Sequence, residues 1–253
     1  IDPAKIEEAI TPRTRAILAT HVYGNPCDVK AIAGIAAKHG LKVIYDGAHA
    51  FGTRYENKSL FAYGDITTAS FHATKLFHTI EGGAVTCTDP DVLKTMAYMR
   101  NFGHETPEEF ACVGINGKNC EFHAAMGLLN LNYIGAILED RKKSSLYYDS
   151  QLVNLKAGRI TVRQGVTYNY SYYPVIFPGE VELLRAQEQL NKNNIFPRRY
   201  FKPSLNNLNY VDRRATPVSE DIVGRVMCLP LFYGITRQEI DFICRILLRA
   251  QKY

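Results

Sequence analysis

Three consecutive segments, "RAILATHVYG", "VKAIAGIAAKH" and "LKVIYD", limit the fold more than any other part of the chain. The first and third are short and apolar, as buried strands are, and the middle one repeats its apolar residues at helical spacing. Asp28 stands where a helix N-cap belongs and Gly40 just past the helix end. The pattern continues: "ITTASFHA" reads as a third strand and "GGAVTCT" as a fourth, and Asp89-Pro90 starts a helix that stops at Gly103. This order predicts a mainly parallel sheet with helices on its faces, an α/β fold. The fourth strand follows a link too short for a parallel crossover, so it is expected to run antiparallel.

The remainder is organised differently. Asp2-Pro3 opens a short helix, with the acid as cap. From Glu121 to about Leu152 the chain reads as one long helix that leaves a first domain and enters a second. "VTYNYSYYPVIF" reads as a strand, a helix follows near 180 to 193, and "TRQEIDFICRILLRAQK" ends the chain with Thr236 and Glu239 as a capping box. The division expected is 1–135, part of a large domain, and 136–253, a linking helix plus a smaller C-terminal α+β domain.

Charge and composition exclude several classes. The net charge is +5, but Lys and Arg are spread along the chain, whereas a nucleic-acid binder concentrates them. A mild basic balance suits an anionic small substrate. No apolar run approaches the roughly 20 residues of a membrane helix, and "IDPAKIEEAI" lacks the basic start and apolar block of a secretory leader. The six cysteines form no C-x-x-C pair and suit a reducing cytoplasm. Asn57-Lys58-Ser59 and Asn169-Tyr170-Ser171 match the glycosylation triplet and, without a leader, are read as chance. The chain opens on Ile1 rather than Met, so a longer protein is expected.

Open α/β sheets bind ligands beyond the carboxyl ends of their strands. Asp46 is at that end of "LKVIYD", and Lys75 follows the same end of the next strand. Ser70 and His72, two apart, share one face, and His49 lies in the loop after Asp46. A lysine can form a Schiff base with a carbonyl. If that carbonyl is pyridoxal phosphate, an aspartate is needed at the ring nitrogen and donors at the phosphate, for which Ser70 is a candidate. Against this, a strand-end Asp is often a turn residue and a Lys there is usually solvated. His72 and His78, six apart and without a carboxylate pattern, make a poor metal site.

"YDGAHAFGTRY", "GDITTASFHATKLFHTIEGGAV", "GINGKNCEFHAAMGLLNL" and "RVMCLPLFYGITRQEI" resemble the DegT/DnrJ/StrS family, pyridoxal-phosphate nucleotide-sugar aminotransferases of the aspartate-aminotransferase fold (fold type I). The resemblance runs through nearly the whole chain. It implies that Lys75 holds the cofactor and moves the substrate proton, that Asp46 pairs with the pyridinium nitrogen, that His49 contacts the ring side and that Ser70 binds the phosphate. Asn116 and Lys118, in "GINGKN", would reach a partner subunit's cofactor phosphate in a homodimer, and Arg199 and Tyr200, in "PRRYFKP", would line the nucleotide-sugar site. The reaction implied converts a nucleotide-linked keto-sugar, such as a dTDP-keto-6-deoxyhexose, to the amino-sugar with glutamate as donor, in lipopolysaccharide or other polysaccharide biosynthesis. Family members carry roughly a hundred residues before the position of Ile1, including the first strands of the sheet. "RAILATH" is therefore expected to present an open edge. Two rivals remain: a sugar dehydratase of the same family, whose lysine is typically replaced by histidine, and a non-catalytic remnant that only dimerises or binds a nucleotide sugar.

Overall fold

The computed structural model describes residues 1–252, which divide into two compact units. The first comprises Ile1–Ala136 and Val162–Asn169, and the second comprises Ile137–Thr161 and the chain from Tyr170 onward. The segment 162–169 thus returns to the first unit, a detour that a single boundary near residue 135 leaves out.

In the first unit the order is α1 (Ile6–Ala9), β1 (Ala16–Thr20), α2 (Val29–His39), β2 (Lys42–Asp46), β3 (Arg54–Tyr55), β4 (Lys58–Ser59), β5 (Ile66–Ser70), β6 (Gly83–Cys87), α3 (Pro90–Arg100) and α4 (Glu121–Leu131). The main sheet runs β1-β2-β5-β6. β1, β2 and β5 are parallel, and β6 is antiparallel to β5, as its short connection requires. β1 is an edge strand of this sheet. One face packs on α2: Ile17, Ala19, Val43 and Tyr45, alternate along their strands, are buried with Val29, Ile32 and Ala36. Asp28 caps α2 by accepting the N–H of Ala31 at 3.1 Å, and Gly40 closes it at φ +63°.

Helix α5 (Ile134–Gln151) leads into the second unit, and β7 (Val166–Thr167) pairs back with β3 in the first. The second unit continues with β8 (Tyr173–Ile176), α6 (Glu180–Asn191), α7 (Pro217–Arg225), β9 (Val226–Leu229) and α8 (Arg237–Ala250). β8 and β9 form an antiparallel pair, and Tyr148, Val175, Leu183, Leu190, Met227 and Leu247 build a separate core with them. Fully buried Tyr148 satisfies its hydroxyl on the carbonyl of Pro230 at 2.9 Å.

Three expectations need correction. The long helix from Glu121 to Leu152 is two helices. At the break the N–H groups of Asn132 and Tyr133 bond only three residues back, to Leu129 and Asn130, and asparagine is a weak helix former. "VTYNYSYYPVIF" is two strands in different units, separated at Tyr170 by a φ of +51°. "RAILATHVYG" stops being a strand at Thr20, because Tyr23 and Gly24 both take positive φ.

The capping box on α8 is present: Thr236 Oγ1 accepts the N–H of Glu239 at 3.2 Å, and the Glu239 carboxylate accepts the N–H of Thr236 at 2.7 Å. Thr236→Ala is expected to lower the unfolding free energy by about 1 kcal/mol, and Thr236→Ser by only a few tenths. Urea unfolding of the three proteins, compared at equal slope, measures it.

Candidate active site

Asp46 ends β2, the strand held between β1 and β5, and its register partners are Thr20 and Thr68. The carboxylate therefore stands at the carboxyl edge of the parallel strands, with Oδ1 accepting the N–H of Ala48 at 2.9 Å. The chain can turn off the sheet there only because residue 47 is glycine. A Cβ would meet the carbonyl oxygen of Thr68 at 2.8 Å and the Phe61 ring at 3.0 Å.

The loop that follows carries His49, which is only 9% exposed. Its Nδ1 accepts the N–H of Tyr23 at 3.1 Å, so the ring proton is on Nε2. Burial, then the charge of Lys75, lower its pKa to about 4 against an opposing pull from Asp46.

Lys75 sits in the loop between β5 and β6. Phe71 N–H bonds the carbonyl of Gly82 at 2.8 Å and Thr79 N–H bonds that of Phe71 at 2.9 Å, which closes the loop on itself. Lys75 N–H bonds the carbonyl of His72 at 2.9 Å. Directly after the lysine, Leu76 and Phe77 are buried. Phe77 stacks on Phe51 at 4.4 Å and meets Phe71 edge-on at 5.0 Å. From α4, Asn130 Nδ2 donates to the carbonyl of His78 at 2.9 Å, and a side chain at Gly127 would run into Thr79. The lysine is thus anchored by apolar neighbours while its own side chain stays half-buried. Burial lowers its pKa, and Asp46 acts in the opposite sense. His49 lies within the electrostatic reach of both Lys75 and Asp46, and Lys75 within that of Asp46.

The other sequence candidates are distributed differently. Ser70 ends β5 opposite Gly83, and its Oγ receives only a 3.5 Å contact from the N–H of His72. His72 instead pairs with Thr74 at 2.8 Å and lies 3.5 Å from Glu81. Asn116 and Lys118 are exposed and pack near the end of α3: Asn116 bridges to Asn101, and Lys118 Nζ lies 3.9 Å above the Phe102 ring. In the second unit, Arg199 Nη2 donates to Glu180 at 2.9 Å and to the carbonyl of Gly224 at 2.8 Å, tying the start of α6 to the end of α7. Tyr200 meets Tyr172 edge-on at 5.7 Å and stacks on Phe201 at 4.8 Å. Among the described residues no three His, Cys, Asp or Glu side chains cluster as metal ligands, and no helix is long and apolar enough to cross a membrane.

Two polar residues at this site escape a reading of the sequence. His21 is fully buried, stacks on Tyr45 at 4.5 Å and accepts the N–H of Cys27 on Nδ1 at 3.1 Å. Its own N–H bonds the carbonyl of Asp46 at 3.0 Å, which extends the β1–β2 ladder past Thr20. A histidine directly after an apolar strand was the available signal. Asn169, part of a glycosylation triplet, is fully buried and donates to the carbonyls of His49 and Phe51. Nothing local in the sequence marks it.

The profile of the DegT/DnrJ/EryC1/StrS aminotransferase family matches residues 1–248. The chain is 38% identical over 246 residues to dTDP-4-amino-4,6-dideoxy-D-glucose transaminase of Shigella dysenteriae, covering 94% of this chain and 67% of that protein. It is 35% identical over 267 residues to the Escherichia coli protein of the same name, covering 98% and 70%. The crystal structure of DesI, determined in the presence of its TDP-sugar product, superposes with a TM-score of 0.92 at 28% identity, over 100% of this chain and 66% of that one. The chain thus spans about two thirds of the length of these relatives.

The two buried histidines make stability depend on pH. Both pKa values lie at about 4, with burial the leading cause. The unfolded chain takes up these protons first, so stability is fullest above about pH 6.5 and is lost as pH falls toward 4. The loss is up to about 3 kcal/mol per ring. Urea midpoints measured from pH 7 to 4 are expected to fall, and His21→Gln to flatten part of that slope. An identical slope in the variant would mean that His21 is not held neutral.

Proposed function

Because the chain belongs to the DegT/DnrJ/EryC1/StrS aminotransferase family, we propose that its site serves the transfer of an amino group to a nucleotide-linked keto-sugar, with pyridoxal phosphate as cofactor. The observation that carries this reading is the placing of Asp46 and Lys75 at the carboxyl edge of neighbouring strands, with the Lys75 amine within the electrostatic reach of Asp46. The sugar is a dTDP-linked 4-keto-6-deoxyhexose and the donor is glutamate. The names of the Shigella and Escherichia relatives support the nucleotide and the position of the new amine.

The residues suit the cofactor. A carboxylate ends β2 and could serve a ring nitrogen, a half-buried amine lies within its electrostatic reach, and the lightly engaged Ser70 hydroxyl ends the adjacent strand. When bound, pyridoxal phosphate supplies an aldehyde that captures amines and a ring that withdraws electrons from the carbon being deprotonated. Asp46 would hold the proton on the ring nitrogen. Burial keeps a larger share of Lys75 as free amine, the form able to attack the aldehyde and later to accept a proton. With the cofactor bound, Lys75 Nζ would be the base that accepts the proton from the amino donor's α-carbon and, in the amination half-reaction, the acid that delivers one to the sugar carbon. His49, with its proton on Nε2, contributes a donor without adding a cation beside Lys75. The lysine itself argues for transamination over dehydration.

The assembly we propose is a homodimer in which Asn116 and Lys118 serve the partner's cofactor phosphate. Exposed apolar residues beside them, Val113, Ile115, Phe122 and Leu128, support an interface there. Arg199 and Tyr200 are proposed for the nucleotide-sugar side.

Lys75→Ala is expected to abolish transamination with the fold intact, a loss beyond the roughly 10²–10⁴-fold of a missing general base, because covalent attachment and proton transfer go together. Asp46→Asn keeps the size but cannot hold the ring nitrogen protonated, and is expected to be severely impaired. Single-turnover kinetics on the cofactor-loaded full-length protein, with dTDP-4-keto-6-deoxyglucose and glutamate, test both. Near-normal conversion by Lys75→Ala would remove Lys75 from the mechanism. Borohydride reduction followed by peptide mapping should find the cofactor on Lys75.

A further inference from the structure

The segment 162–169 belongs to the first unit although the chain on both sides of it belongs to the second. It enters with Arg163, whose Nη1 lies 3.0 Å from Asp28, and it adds β7 to β3. Past β7 come two side chains that bond to backbone carbonyls. Tyr168 Oη donates to the carbonyl of Tyr23 at 2.7 Å. Asn169 Nδ2 donates to the carbonyls of His49 at 2.7 Å and Phe51 at 2.8 Å. The fit around Asn169 is close: a Cβ on Gly24 would come within 2.6 Å of its Oδ1 and 2.7 Å of the His49 carbonyl.

These bonds hold the two ends of one contact. Tyr23 supplies the N–H that His49 Nδ1 accepts, and the Tyr23 carbonyl is held by Tyr168. His49 supplies the acceptor, and its carbonyl is held by Asn169. Which ring nitrogen keeps its proton is set by what the other nitrogen bonds. The carboxamide suits the task, since its NH₂ carries two donors and both meet carbonyls. A carboxylate there would set charge against two carbonyl oxygens, and alanine would leave both unsatisfied in a buried place.

We propose that Tyr168 and Asn169 are positioning residues of the cofactor site: by clamping the carbonyls of Tyr23, His49 and Phe51 they fix the His49 ring with its proton on Nε2. The role of that ring rests on the pyridoxal phosphate reading; the clamp itself is tested without cofactor.

The experiment uses the full-length protein. Selective ¹⁵N-histidine NMR on the cofactor-free protein reads the tautomer of His49, its signal assigned by its loss in His49→Ala. The wild type is expected to show Nε2–H alone, and Asn169→Ala and Tyr168→Phe to show mixed tautomers. Titration with pyridoxal phosphate, followed by visible absorption, is expected to give about tenfold weaker binding for Asn169→Ala. Within a His49→Ala background the same change is expected to cost less than about twofold, because its effect passes through the ring. An unchanged tautomer in the variants, or an undiminished loss in the His49→Ala background, would overturn the proposal. If Asn169→Ala does not fold, Tyr168→Phe, which deletes one hydroxyl, carries both measurements. Failure of the wild type to bind the cofactor would count against the functional reading, while the NMR arm still decides the clamp.

Discussion

The parallel register of β1, β2 and β5 is the constraint on which the site depends. It brings Thr20, Asp46 and Thr68 to one level at the carboxyl edge. The polar groups of this site follow from that line: His21 continues β1, the His49 loop leaves β2 through Gly47, and the Lys75 loop leaves β5. A one-residue slip of β2 would send the Asp46 side chain to the opposite face, into the layer where Tyr45 packs with α2. The apolar alternation Val43 and Tyr45 opposes such a slip, so hydrophobic burial on one face sets the electrostatics at the end of the strand.

Those electrostatics are unusual in being dry. Two histidines beside a carboxylate and an amine would ordinarily be half-charged near neutrality. Burial keeps both neutral, with Nδ1 of each ring accepting a backbone N–H. With both rings neutral, the histidines add shape and donors without adding charge beside Asp46 and Lys75. Lys75 owes its location less to its own contacts than to Phe77, which is locked against Phe51 and Phe71.

Much of this was legible beforehand because the relevant signals are local. Caps at Asp28, Asp89 and Thr236, the glycine at 40 and the short link before β6 are each decided within a few residues. The places of Asp46 and Lys75 at and beyond the carboxyl ends of β2 and β5 were readable because each ends or follows a strand-like run. Other features were not. No periodicity foretells that a tyrosine-rich run will bend at Tyr170 and serve two units, or that Asn132 will interrupt a helix. Nothing in the loop around Arg199 announces that its guanidinium bonds the Glu180 carboxylate and the Gly224 carbonyl. Asn169 was overlooked for the same reason, its partners lying 120 and 118 residues away.

That separation has a consequence for the order in which the molecule is built. A ribosome delivers the strands of the main sheet, the His49 loop and the Lys75 loop first. The group that satisfies the carbonyls of His49 and Phe51 emerges only after all of α5 has been made. Closing so long a loop is slow relative to the local pairing of β1 with β2. The loop beside the Asp46 carboxylate is therefore among the last parts of the first unit to gain its final shape. In the nascent chain its backbone carbonyls stay hydrated until a residue from beyond the second unit's opening helix arrives to replace the water.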